Sequence, residues 1–229
     1  TYSNCPDSYI VGTPTKIEVR GNGTLMRQRE AQLNCANGNI EVVRQHLSPS
    51  SYAETRLAYD GLGNLAQVQG PSNAAHQRYT LNYTYDPIVA THIARIDDSF
   101  QLASTAEYDL RFGKVLKTVD TNGHTTSYVY DDLGRLTHVQ GPYQHGGPHQ
   151  TLSFTYGHDA PVPYAITRHH DQDANGIVKD TIDTILFTDG LKRVLQTKKD
   201  IARHTGQDTA PEMAMAVSGR VLFDAFGRS

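Results

Sequence analysis

The chain of 229 residues has no tryptophan, only three methionines and two cysteines, and a net charge of −3 when its histidines are neutral. A charge so close to balance gives no reason to expect nucleic acid or an anionic membrane as a partner. No run of about 18 apolar residues occurs, so the sequence predicts no membrane span. The N-terminus also lacks the basic-then-apolar pattern of a signal peptide, so either export needs no such leader or the chain is an internal piece of a longer protein.

Sequence signatures of catalysis are missing as well. The chain has no Gly-x-Ser-x-Gly segment for a nucleophilic serine and no phosphate-binding Gly-x-x-x-x-Gly-Lys loop. His169 and His170 are adjacent and would point to opposite faces of a strand. His145 and His149 lie in a glycine-rich loop without an acidic or cysteine partner nearby, and zinc sites need tighter ligand spacing. The sequence therefore predicts no catalytic residue, no cofactor and no enzyme.

One half-motif for a metal remains. Asp171, Asp173 and Asn175, followed by Gly176, place oxygen ligands at alternate positions, as the first half of a calcium loop does. At the twelfth position, where such a loop carries a bidentate acid, the chain has Ile182. An Asx-rich turn is therefore the main interpretation, and calcium is the alternative.

Two further features leave alternatives open. Cys5 and Cys35 could form one disulfide in an oxidising compartment, or they could stay unpaired, since a sequence does not supply the Cα separation that a bridge requires. A small basic cluster could contact an acidic polysaccharide, although such a cluster is usually a solvated face. Its members are Lys192, Arg193, Lys198 and Lys199.

A strand–turn–strand unit recurs along the chain, and residues 128–139 are its clearest copy. Tyr128 and Tyr130 lie two apart before the turn, so an extended backbone points both to one face. Asp131 can accept a hydrogen bond from a backbone N–H two residues on, and Gly134 suits the positive φ that a short hairpin loop needs. The predicted structural turn residues are Tyr59, Asp60, Gly63, Tyr108, Asp109, Gly113, Tyr130, Asp131, Gly134, Arg135, Asp189, Arg193, Asp224, Gly227 and Arg228.

The spacing of these copies indicates a repeat array. Their aspartates stand at positions 60, 86, 109, 131, 189 and 224, and the first four lie 22 to 26 residues apart, in the period range of hairpin solenoids. Tyr85-Asp86-Pro87 is a degenerate copy with proline in its turn, and the wide gap after Asp131 implies a missed or degenerate unit around Tyr156-Gly157. The copy at Asp224 is incomplete at Ser229, which favours an internal piece of a longer chain.

Alternating polarity predicts an all-β fold. Residues 79–85 alternate tyrosine or leucine with threonine or asparagine, which indicates a strand with one packed face. We expect an array of antiparallel β-hairpins that forms a curved ribbon of sheet. The predicted domains are a β-rich lead-in, 1–50, and a repeat segment, 51–229. Residues 1–12 suggest an irregular segment, residues 24–34 either a short helix or a hairpin, and residues 157–181 look least repeat-like.

The repeats resemble the RHS, or YD-repeat, family, whose core is Tyr-Asp-x-x-Gly-Arg-Leu, roughly from residue 52 to the end. The segments 104–109, 187–200 and 217–224 are similar to the middle region of insecticidal toxin-complex B subunits and related large bacterial RHS toxins. Two departures are Gln101, where that family often has glycine, and Lys192, where the turn is expected to have glycine.

The resemblance implies a non-catalytic segment of an RHS β-shell that encapsulates a toxic cargo in a secreted or cell-surface bacterial protein. The implied partners are the remaining RHS repeats of the same or a partner subunit, the enclosed toxin polypeptide and a pore-forming toxin subunit. The alternative is a cell-surface YD-repeat module that binds carbohydrate or a partner protein. Because a chain of this length cannot close a shell, we expect its terminal strands to expose unpaired edges through which it self-associates.

Overall fold

The structure is a computed structural model and describes the chain except residues 145, 148, 174–176, 204–205, 207–209 and 211. The described residues form 18 strands and one short 3-10 helix, Pro6–Ser8, which confirms the predicted all-β fold of antiparallel hairpins. The strands are β1 (Tyr2–Cys5), β2 (Ile10–Pro14), β3 (Lys16–Gly21), β4 (Thr24–Leu33), β5 (Ile40–Ser48), β6 (Ser51–Tyr59), β7 (Leu65–Ser72), β8 (Arg78–Tyr85), β9 (Ile93–Asp98), β10 (Ala103–Asp109), β11 (Lys114–Val119), β12 (Thr125–Tyr130), β13 (Leu136–Gln140), β14 (Leu152–Gly157), β15 (Tyr164–Gln172), β16 (Val178–Thr188), β17 (Val194–Arg203) and β18 (Glu212–Val217).

In three segments the structure either contradicts the expectation from the sequence or decides between two alternatives. Residues 1–12 are not irregular, because β1 and β2 pair as an antiparallel two-stranded sheet. Residues 24–34 form strand β4 and not a helix: Asn22 and Gly23, both at positive φ, reverse the chain so that β4 pairs with β3. Residues 157–181 contain all of β15 and the start of β16, and every residue of β15 is paired with β16.

The chain divides into two compact units. The first comprises residues 1–113 and 120–123, and within it every strand from β3 to β10 pairs antiparallel with its neighbour in sequence. The second comprises residues 114–119 and 124–229, and β11 to β18 pair in the same sequential order. The expected boundary near residue 50 stays a prediction.

Each unit has one face rich in apolar side chains and one face rich in polar side chains, because directly opposed residues on antiparallel strands share a face. In the first unit Leu57, Val68 and Leu81 are in register across three strands, and Gln67 pairs with Asn82 on the other face. In the second unit the apolar face carries Tyr128, Val139, Leu152 and Phe154, and the polar face carries His138, Ser153, Arg168 and Asp183.

No second layer covers either face within the described residues. Among the described residues only Cys5 (5% exposed), Asp86 (8% exposed) and Gly141 are buried, and no large side chain is fully enclosed. Apolar residues in mid-strand remain open, for example Tyr79 at 46% and Val129 at 52% exposure. Each unit is therefore a single-layer sheet, and its strands depend on their neighbours for stability as repeats in a solenoid do.

A disulfide joins the β1–β2 sheet to the rest of the first unit. Cys5 and Cys35 are bonded with their Cα atoms 5.5 Å apart, which answers the question that the sequence left open. Ser3 Oγ lies 2.8 Å from Thr15 Oγ1 and ties the same small sheet to the residue that precedes β3.

Candidate functional site

The turn at Asp131 shows how the repeat motif folds. The backbone N–H of Asp131 donates to the carbonyl of Arg135 at 2.9 Å, and the N–H of Gly134 donates to the carbonyl of Asp131 at 2.9 Å. Asp131 Oδ1 accepts the N–H groups of Leu133 at 3.0 Å and Arg135 at 2.8 Å, while Oδ2 accepts Arg135 Nε at 2.7 Å. Gly134 has φ of 71°, the left-handed conformation in which a Cβ is costly.

These contacts also determine the charge of the carboxylate. Partial desolvation favours the neutral form of Asp131, but hydrogen bonds from the backbone and guanidinium of Arg135 favour the anion and lower its pKa below the ordinary value of 3.8. The aspartate is therefore charged at neutral pH and serves as an acceptor for the turn. Its oxygens are engaged by the turn itself, which suits a structural role rather than acid–base chemistry.

The same turn recurs with small changes at Asp60, Asp189 and Asp224. In each, Oδ1 accepts backbone N–H groups two and four residues later, at 2.8 to 2.9 Å. The third residue after the aspartate has positive φ in every case: Gly63 at 86°, Lys192 at 63° and Gly227 at 78°. Arg193 and Arg228 return to their aspartates as Arg135 does, with Nε–Oδ2 distances of 2.6 and 2.7 Å.

The turn at Asp109 is one residue longer, as its sequence predicts. Asp109 Oδ1 accepts the N–H of Arg111 at 2.9 Å, and the guanidinium of Arg111 folds back onto the carboxylate with an Nη2–Oδ2 distance of 2.7 Å. Gly113 has φ of 62°, and a Cβ there would lie 3.2 Å from the ring of His92.

Turns with the same geometry also occur without the Tyr-Asp motif, and the motif search missed those at Asn73 and Asp98. Asn73 Oδ1 accepts the N–H groups of Ala75 and Gln77 at 2.9 and 3.0 Å. Asp98 Oδ1 accepts those of Phe100 and Leu102 at 2.8 and 3.0 Å. The signal that could have found them is an Asx residue five positions before the start of a strand. The third residue of each turn again has positive φ, His76 at 60° and Gln101 at 66°. Asp173 Oδ1 likewise accepts the N–H of Ile177, four residues later, at 3.0 Å.

The degenerate copy at Asp86 is the most fully hydrogen-bonded of the turns. Its two carboxylate oxygens accept five consecutive backbone N–H groups, from Ile88 to His92, at 2.7 to 3.3 Å. Burial favours the neutral acid, but these N–H donors outweigh it and lower the pKa of Asp86 to about 2. Pro87 has no N–H and is placed where none is needed.

The tyrosine before each turn links its strand to the preceding repeat. The hydroxyl of Tyr130 donates to the carbonyl of Val115 at 2.9 Å, and that of Tyr156 donates to Leu136 at 2.7 Å. The acceptor lies at or next to the first residue of the strand that leaves the preceding turn. Three other tyrosine hydroxyls donate to backbone carbonyls in the same way: Tyr59 to Ile40 at 2.9 Å, Tyr85 to Leu65 at 3.0 Å and Tyr108 to Ile93 at 3.0 Å.

The residue four positions after the aspartate links in the other direction, to the following repeat. The guanidinium carbon of Arg135 lies 4.7 Å from the ring centroid of Tyr156, and that of Arg193 lies 4.2 Å from that of Phe223. In the first unit Asn64 replaces arginine, and its Nδ2 donates to the carbonyl of Ala90 in the next turn at 2.7 Å. These cation–π and hydrogen-bond contacts join consecutive repeats within each unit.

Tyr156 and Gly157 form the degenerate unit that the spacing of the repeats predicts. Tyr156 makes the same hydroxyl link as the other repeat tyrosines, but glycine replaces the aspartate. Gly157 is opposite Tyr164 on β15, and any Cβ at Gly157 would overlap the ring of Tyr164. The aromatic ring occupies the volume that a side chain would need, so glycine is required here for packing.

The calcium half-motif is only partly described. Asp171 lies at the end of β15, opposite Asp180, and Asp173 opens the turn already noted, while Asn175 lies outside the described residues. No group of three or more potential ligands close enough to hold a metal ion occurs among the described residues. Calcium binding stays a prediction, and in the described part of the loop Asp173 Oδ1 accepts the N–H of Ile177.

The histidines and the basic cluster are dispersed. His169 pairs with Ile182 on one face of the sheet, whereas His170 Nε2 lies 3.0 Å from Ser153 Oγ on the other. Arg193 is engaged by its aspartate and by Phe223, and the ammonium of Lys198 lies 5.2 Å from the ring centroid of Phe187. His145 lies outside the described residues.

The chain is thus an array of antiparallel β-hairpins with Asx turns. Hydrogen bonds from tyrosine hydroxyls to backbone carbonyls join neighbouring hairpins, and the pattern is of the YD type. In the described part of the chain, no helix combines the length and hydropathy needed to cross a bilayer.

Comparison with known proteins finds one family match to part of the chain and solved structures of similar fold. Residues 108–144 match the family model of the RHS Repeat. The crystal structure of TcdB2-TccC3 superposes with a TM-score of 0.64 at 14% identity, over 89% of this chain and 14% of that chain. That of TcdB2-TccC3-Cdc42 superposes with a TM-score of 0.64 at 11% identity, over 89% of this chain and 16% of that chain. No curated protein sequence matches.

Residues 108–144 therefore match an RHS repeat, and the fold of the chain is similar to part of these solved chains. It spans less than a fifth of the length of the solved chains that it matches.

Proposed function

We propose that this chain is a non-catalytic segment of an RHS shell, the wall that encloses a polypeptide cargo in a secreted bacterial toxin subunit. The observation that carries the proposal is the single-layer sheet in each unit, whose apolar face no second layer covers. An autonomous β domain would bury such a face against a second sheet. A wall leaves it free for the contents of the enclosure.

The chemistry of that face suits an unfolded guest. The repeat tyrosines direct their hydroxyls to backbone carbonyls of the sheet itself, so their polar tips are already engaged. A guest chain then meets apolar and aromatic surface, with few fixed donors to compete for its own backbone groups. Contacts of this kind are non-directional and tolerate many sequences.

The links between repeats support the role of a wall. Five tyrosines tie their strands to the previous repeat, and Asn64, Arg135 and Arg193 tie their turns to the next one. We infer that the partners are further RHS repeats of the same or a partner subunit, the enclosed toxin polypeptide and a pore-forming subunit. A secreted or cell-surface location agrees with the disulfide between Cys5 and Cys35, since such bonds persist in oxidising compartments.

Site-specific photo-crosslinking tests which face meets a guest. A benzophenone side chain is placed at Tyr83, on the apolar face of β8, or at the adjacent Thr84 on the opposite face. Each variant is mixed with a reduced and carboxymethylated polypeptide that cannot fold. We expect crosslinks from position 83 and far fewer from position 84.

The disulfide-intact, folded form of the same polypeptide serves as the control and is expected to give no crosslink from either position. Equal labelling from the two faces, or labelling of the folded form, would contradict the proposed role.

A further inference from the structure

Two neighbouring turns of the first unit border a cleft. The turn at Asn73 joins β7 to β8 and the turn at Asp98 joins β9 to β10, and both strands of each hairpin lie within the described chain. The cleft between the turns has a volume of about 370 Å³, which is in the range of small-ligand sites. The residues that line it include Asn73, Gln77, Arg78, Tyr79, Ser99 and Phe100.

Two aromatic rings form the apolar side of the cleft. The ring centroids of Tyr79 and Phe100 lie 5.8 Å apart, with 32° between the ring planes. The two residues are 46% and 72% exposed, so each ring keeps open surface. The hydroxyl of Tyr79 donates to Asp98 Oδ2 at 3.1 Å and holds its ring in place. The face of such a ring is electron-rich and attracts the C–H groups on the apolar side of a pyranose.

The polar side of the cleft offers uncharged hydrogen-bonding groups. Among the described residues Gln77 Nε2 has no hydrogen-bond partner, and Asn73 Nδ2 has only a long contact of 3.4 Å with Gln77 Oε1. Ser99 Oγ accepts the N–H of Thr80 at 3.3 Å, so its own O–H is able to donate. Amide and hydroxyl groups both donate and accept, as the hydroxyls of a sugar require.

The charged groups beside the cleft are already engaged. The guanidinium of Arg78 donates to the carbonyls of Glu54 at 2.7 Å and Gly70 at 2.8 Å, and to Glu54 Oε1 at 3.1 Å. The carboxylate of Asp98 accepts the hydroxyl of Tyr79 and two backbone N–H groups of its own turn. The cleft therefore favours an uncharged ligand over an acidic or a basic one.

We propose that this cleft binds a neutral saccharide. One pyranose ring stacks on Phe100 and Tyr79, and its hydroxyls exchange hydrogen bonds with Asn73, Gln77 and Ser99. The cleft has one aromatic side and one amide-rich side, which match the C–H side and the hydroxyl rim of a pyranose. This inference does not depend on the proposed containment role, whose guest is an unfolded polypeptide.

NMR titration of the isotope-labelled protein with cellotriose, maltotriose and chitotriose tests the proposal. We expect at least one of these neutral sugars to shift the side-chain amide signals of Asn73 and Gln77 saturably, and the acidic trigalacturonate to leave them unchanged. Phe100→Ala removes a stacking ring and should weaken the binding by about tenfold or more. Phe226→Ala is the matched control and should leave the affinity unchanged, because Phe226 also lies two residues after a turn aspartate and is 83% exposed.

Far-UV circular dichroism checks that Phe100→Ala still folds, since the backbone N–H of Phe100 and not its ring holds the turn. No shift with any of the three neutral sugars, or equal binding by Phe100→Ala, would overturn the assignment. So would shifts at Asn73 and Gln77 that only the reduced and carboxymethylated polypeptide produces. A failure of crosslinking from Tyr83 bears on the containment role alone.

Discussion

Replacing Lys192 by glycine is expected to stabilise the second unit. Lys192 is exposed and occupies the third position after Asp189 with φ of 63°, where the equivalent turns have Gly63, Gly134 and Gly227. An L-residue in this conformation costs about 1–2 kcal/mol. Glycine loses about 0.5–1 kcal/mol through its greater freedom in the unfolded chain. The net gain in free energy of unfolding is therefore about 0.5–1 kcal/mol.

A gain of that size corresponds to an increase of about 2–5 °C in the melting temperature of a unit this small. Because the chain has no tryptophan, urea denaturation is followed by tyrosine fluorescence and far-UV circular dichroism. Lys192→Ala removes the same side chain but retains a Cβ, so it should give no such gain. The reverse change, Gly134→Lys at the equivalent turn position, should destabilise by a similar amount.

The reasoning would be refuted by a Lys192→Gly protein no more stable than Lys192→Ala. Such a result would mean that the side chain, and not the backbone conformation, determines the cost at this position. Gln101→Gly in the first unit, where φ is 66°, repeats the measurement at an independent turn.

Three other predictions follow from the same contacts. Tyr130→Phe removes only a hydroxyl hydrogen bond of 2.9 Å and should cost about 1 kcal/mol in urea titrations, whereas Tyr128→Phe, which loses no such bond in the described structure, should be near neutral. Gly157→Ala should cost about 1–3 kcal/mol because its methyl group overlaps a tyrosine ring; Gly61→Ala, which meets open space, is the control, and equal effects would refute the packing argument. Because the pKa of Asp86 falls from 3.8 to about 2 on folding, stability should be constant above about pH 5 and decrease as the pH drops from about 4 to 2. Asp86→Asn should be less stable at pH 7 and should show a shallower loss over that interval; a slope unchanged by the substitution would contradict the assignment.

Much of the fold could be predicted from the chain because two local signals agree. Alternating polarity places the strands, and Asp-x-x-Gly places the turns that join β6 to β7 and β12 to β13. Sequential pairing of neighbours then needs no long-range information. The same logic identified the unit around Tyr156, although its aspartate is replaced by glycine.

What could not be predicted depends on contacts that one repeat makes with another. Nothing in the local sequence of Tyr130 shows that its hydroxyl reaches Val115, and nothing near Asn64 shows that it bonds to Ala90. Asn73 and Asp98 were missed for a different reason: their turns lack the preceding tyrosine, so a search anchored on Tyr-Asp passes over an identical backbone arrangement. Residues 24–33 contain many good helix formers, and only pairing with β3 and β5 decides in favour of a strand.

The links made by Tyr156 and Arg135 have a consequence for how such a protein grows in evolution. The repeat at Asp131 carries both a donor that reaches backward, Tyr130, and a side chain that reaches forward, Arg135, so one repeat encodes a contact to each of its neighbours. Duplication or loss of one whole repeat therefore creates a new junction that is already complementary. The chain can therefore gain or lose whole repeats while the tyrosine and arginine contacts between neighbouring repeats are kept.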